Sequence, residues 1–106
     1  MEILRTQGYL DDRGGEIFKT SCEEVLSAGS ILFVFNFKGT PVINSTGLSM
    51  LLEMIVKIID YKNGKVAFAG LSKITKAALQ MAGVLTLVDE FETEELAASA
   101  ISSEIS

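Results

Sequence analysis

The stretch Ile31–Phe37, ILFVFNF, is apolar at every position but Asn36 and is rich in aromatic and branched residues. Such residues fit a pleated strand. A strand with one face in water alternates apolar and polar side chains, whereas a strand apolar at successive positions is covered on both faces. The run is far too short to cross a membrane. Helices packed on a largely parallel sheet are the usual way to cover both faces, so this segment is read as a central strand of an α/β domain.

The flanking sequence supplies the rest of that architecture. EILRTQGYL opens as a strand and DDRGG reads as a turn. Glu16 to Ala28 then carries Ile17, Phe18, Cys22, Val25 and Leu26 at helical spacing, with Gly29 as a stop. After KGTPV, a turn, Leu48 to Lys62 is the longest helical stretch and ends at NG; KVAFAG follows as a short strand. Ser72 can cap KITKAALQMAG, LTLVD reads as a last strand, and Thr93 can cap EELAASAI. The order β-α-β-α-β-α-β-α predicts one α/β domain over residues 1–106. Its sheet is mostly parallel, of four to five strands, with helices packed on it through right-handed crossovers. No linker or repeat divides the chain, and 106 residues suffice for one core.

Composition removes several classes of chemistry. Histidine is absent and Cys22 is the lone cysteine, so no Ser-His-Asp or Cys-His pair, no zinc constellation and no internal disulfide can be built. Cys22 is read as a packing residue on its helix. The net charge of −5 argues against a nucleic-acid surface, because the basic residues are scattered singly. With 48% hydrophobic and 22% charged residues the chain reads as a soluble globule without membrane insertion. The N-terminal residues show no secretory pattern, and a cytoplasmic location is expected.

The segment VINSTGLSMLLEMIV, Val42 to Val56, sets Asn44, Ser45, Thr46 and Gly47 at a strand-to-helix turn. All three polar side chains are ordinary N-cap types, able to accept from an unpaired backbone N–H. A hydroxyl there also stands at the positive end of a helix dipole, where an attached phosphate is stabilised. Read from these residues alone, capping and modification are both open.

Together with QGYLDD, FVFNFKGTPVINSTGL, KNGKVAFAGLSKITKAALQMAGV and TEELAASA, the NSTGL motif resembles the bacterial anti-sigma factor antagonists, whose fold is the STAS domain. The family pattern is Asp-Ser-Ser/Thr-Gly-Leu, matched here at Ser45, Thr46, Gly47 and Leu48. The resemblance implies that Ser45 accepts phosphate from a serine-protein kinase that is also the anti-sigma factor, with Thr46 as second choice. It implies too that the unphosphorylated form binds that kinase, and that Asp11, from GYLD, neighbours the acceptor. Asn44 stands where the family has Asp, and an amide can hydrogen-bond but brings no charge. Asp11, Asp12, Ser45 and Thr46 make no evident base–nucleophile pair or cofactor motif, so no catalysis and no cofactor are expected. The alternative reading of the resemblance is a non-catalytic accessory subunit of a stress-signalling assembly or a lipid-transport complex.

Helical geometry puts Leu48, Leu52, Ile55 and Ile59 at the centre of the sheet-facing side of the second helix, flanked by Leu51, Val56 and Ile58. Met50, Met54 and Tyr61 then form an apolar shoulder. It is read either as covered by another part of the domain or as a partner-binding patch beside Ser45.

Overall fold

The computed structural model describes residues 1–103. Its strands and helices alternate as β1 Glu2–Gln7, α1 Asp12–Ser27, β2 Leu32–Gly39, α2 Ser45–Val56, β3 Lys65–Ala69, α3 Lys73–Met81, β4 Asp89–Phe91 and α4 Glu94–Ser103. The four strands lie in chain order, β1-β2-β3-β4, and every pair is parallel. Right-handed crossovers in a sheet so ordered put α1, α2 and α3 on one face. Helix α4 follows β4 and covers the other face.

Alternation along β2 and β3 sorts the side chains by size. Phe33, Phe35 and Phe37, with Val66 and Phe68, point toward α1–α3 and join Phe18, Cys22, Leu51, Met54, Ile55, Ile58 and Leu79 in the main core. Phe18 meets Phe35 edge-on at a centroid separation of 4.9 Å. Val34, Ala67 and Ala69 point the opposite way, onto Ala97 and Ile101 of α4. This two-sided burial is what the unbroken apolar run in β2 requires.

Three boundaries differ from the sequence reading, each for a local reason. DDRGG is no turn: α1 begins at Asp12, capped by the Asp11 carboxylate, which accepts from the Gly14 N–H at 2.8 Å. Gly15 fits there because α2 lies so close that a Cβ would press on the Met50 sulfur. Helix α2 begins at Ser45, ahead of Leu48, and runs into a π-helical turn at Lys57–Tyr61. Of LTLVD only Asp89 pairs. The left-handed Gly83 (φ 76°) feeds a 3-10 turn, Val84–Thr86, and pairing starts only at Asp89 opposite Ala67.

Candidate functional site

Beyond their last ladder pair, β1 and β2 remain tied. The Leu10 N–H donates to the Val42 carbonyl at 3.0 Å and the Asn44 N–H to the Leu10 carbonyl at 3.1 Å, so Leu10 and Ile43 form an isolated parallel bridge. Helices α1 and α2 therefore start side by side with their positive dipole ends at one rim of the sheet. They hold each other through Lys19–Glu53 at 2.6 Å and Lys57–Glu23 at 2.8 Å.

The two helix starts are built alike. Asn44 Oδ1 accepts from the Gly47 N–H at 2.8 Å, as Asp11 Oδ1 does from Gly14. Gly47 leaves room for the Leu10 backbone, because a Cβ at that position would collide with the Leu10 carbonyl. Since Asn44 is the cap, the hydroxyls of Ser45 and Thr46 are not needed for that task. Both residues are exposed, and among the described residues neither hydroxyl forms a hydrogen bond. Their backbone N–H groups, on the first turn of α2, are likewise among the donors that a helix start leaves unpaired. Asn44, Thr46 and Gly47 adjoin Ser45 in the chain, and the Asp11 backbone lies against Gly47, with its carboxylate turned to the Gly14 N–H.

The Met50, Met54 and Tyr61 shoulder does not survive in the structure. Met54 is fully buried in the main core and cannot touch a partner. Met50 is half-buried, with its sulfur against Gly15. Tyr61 is exposed but lies at the opposite end of the helix, about 24 Å from Ser45 at 1.5 Å per residue. Helix α1 covers the flank that helical spacing left open, which rotates the buried arc of α2 toward Leu51, Met54, Ile55 and Ile58.

A different apolar set is exposed at this rim. Tyr9 is 64% exposed, Val42 40% and Ile74 67%. Tyr9 and Val42 flank the Leu10–Ile43 bridge, and Pro41, next to Val42, lies against the first turn of α3, where Ile74 stands. The sequence signal for this rim was present in GYLDD and PVIN, where apolar residues interrupt otherwise polar loops. Cys22, by contrast, is a core residue: burial pushes its thiol up to about 12, leaving no reactive thiolate near neutral pH.

Solved structures of other proteins share the fold. A Thermotoga maritima protein assigned as an anti-sigma factor antagonist superposes with a TM-score of 0.85 at 19% identity, over 94% of this chain and 86% of that one. The STAS domain of a Vibrio cholerae SulP transporter gives 0.77 at 24% identity, over 97% and 81%. The Bacillus cell-fate determinant SpoIIAA in its phosphorylated form gives 0.71 at 18%, over 93% and 88%. No curated protein sequence matches the chain. The family model described as the STAS domain matches residues 2–97, and with its four parallel strands, four helices and NSTGL helix start this chain belongs to the STAS-domain family.

Proposed function

We propose that the protein is a non-catalytic regulatory module of the anti-sigma factor antagonist type, switched by phosphorylation of Ser45. Its partner is an anti-sigma factor that is also a serine-protein kinase. The observation that carries this reading is the division of labour at the start of α2: Asn44 caps the helix, and Ser45 presents an exposed hydroxyl that has no hydrogen-bond partner among the described residues. Loss of the family carboxylate at position 44 leaves the cap intact, because an amide oxygen accepts the same N–H.

The partner surface is proposed to be the apolar rim of Tyr9, Val42 and Ile74 around Ser45, and not the α2 shoulder. A phosphoryl group would add about −1.5 to −2 charges in the middle of that rim. Charge of that size, desolvated on contact, is enough to expel an apolar partner. Such signalling would take place in the cytoplasm.

Incubation of the chain with native cell extract and Mg-ATP should add one phosphate, mapped to Ser45 by fragment mass spectrometry and lost in Ser45→Ala. Phosphate confined to Thr46 would overturn the assignment. A chain that captures its partner in extract yet is never phosphorylated would favour the accessory-subunit reading, in which Ser45 only touches a neighbour.

A further inference from the structure

We propose that the chain forms a two-fold dimer through the free edge of β1, joining two sheets into one and packing α1 against the α1 of a second copy. The two edges of the sheet differ. At one end β4 spans three residues, too short to template another strand. At the other, β1 offers six residues, EILRTQ, with neither proline nor lysine to block pairing. Beside that edge runs an apolar groove lined by Leu4, Leu10, Gly14, Ile17, Phe18 and Ser21. Ile17 is 64% exposed on an otherwise polar helix face.

The occupant is identified by self-complementarity. A two-fold axis perpendicular to the sheet pairs β1 with its copy antiparallel and keeps both α1 helices on one face, with residues of equal parity opposite each other. Centred on Leu4, the seam sets Leu4 against the partner's Leu4 and Glu2 against the partner's Thr6, so no like charges meet. The grooves fuse, and each Ile17 is covered. On α1, Arg13 and Glu24 are eleven residues apart, which returns them to the same helix face about three turns from each other, on either side of Ile17. Both are exposed, and among the described residues neither is in an ion pair. Antiparallel packing of α1 on its copy brings Arg13 toward the partner's Glu24, twice over. A cation at one end of the stripe and an anion at the other is the pattern an isologous contact requires.

The test is sedimentation equilibrium of the full chain and three exposed-site variants, with circular dichroism melts to establish that each folds. The parent should dimerise. Ile17→Lys and Arg13→Glu should each raise the dissociation constant at least tenfold, and Arg13→Glu/Glu24→Arg should restore it. Backbone amides of Glu2–Gln7 should exchange deuterium more slowly as dimer accumulates. A parent that stays monomeric up to about 1 mM overturns the proposal. So does a dimer indifferent to Ile17→Lys and Arg13→Glu, or one weakened by Arg13→Glu and not rescued by the double exchange.

Discussion

Asn44 and Ser45 divide two tasks that adjacent residues of similar chemistry could have exchanged. The sequence of NSTGL was legible as a helix start, because Ser, Thr and Asn all suit an N-cap. Which of them caps was not legible, since it depends on where the Leu10 backbone stands: its carbonyl takes the Asn44 N–H and fixes that residue one step ahead of the helix. The cap role makes a direct prediction. Asn44→Asp should leave stability within a few tenths of a kcal/mol, while Asn44→Ala should cost about 1 kcal/mol, up to about 2. Urea unfolding midpoints at constant slope would measure both. Equal loss in the two variants would mean that the amide nitrogen, and not the cap oxygen, matters at this position.

At the scale of elements, β2 and its two-sided burial could be read from ILFVFNF alone, and Ser72 and Thr93 do cap α3 and α4, accepting from the Thr75 and Leu96 N–H groups. Helix α2 was the harder case. Periodicity gives the angle between residues but not which arc meets the sheet and which meets a neighbouring helix, and α1 takes the Met54 side. LTLVD misled for another reason: Leu85 and Thr86 belong to the 3-10 turn Val84–Thr86, and Leu87, exposed, and Val88, buried, only lead from it to the first paired residue, Asp89. The burial of Met54 predicts that Met54→Lys unfolds the domain or leaves it with a lowered melting temperature and non-native tertiary signal. Met54→Ala should cost roughly 2–5 kcal/mol through the cavity it leaves. Near-ultraviolet circular dichroism and thermal melts would check both. A Met54→Lys variant as stable as the parent would place this side chain on the surface after all.

Across the whole molecule, one polar cluster ties the last helix to the first strands. Arg5 of β1 donates through two nitrogens to Glu94 at 2.8 Å each, and Asn36 of β2 donates to the same carboxylate at 3.0 Å. The hydrogen bond from Arg5, then that from Asn36, holds the Glu94 carboxyl below the usual carboxylate range. A group whose folded pKa is lowered stabilises the fold above its unfolded value, and that contribution disappears as pH falls through the folded value. Stability should therefore decline on acidification from about pH 4.5, and Glu94→Gln should flatten that decline in melts taken over the acid range. The effect should be small and weaken with salt, because Arg5 is exposed. A Glu94→Gln profile parallel to the parent's would rule the cluster out as a contributor. The position of α4 has a further meaning during synthesis. Strands that follow chain order let each βα unit find its neighbour as soon as it leaves the ribosome, and local contacts of this kind favour fast folding. Yet Val34, Ala67 and Ala69 are buried against Ala97 and Ile101 of α4, which is made after all four strands. A nascent chain with three strands already paired still carries one bare apolar face until α4 has emerged and packed on it, and in that interval the face is open to association with neighbours on the polysome.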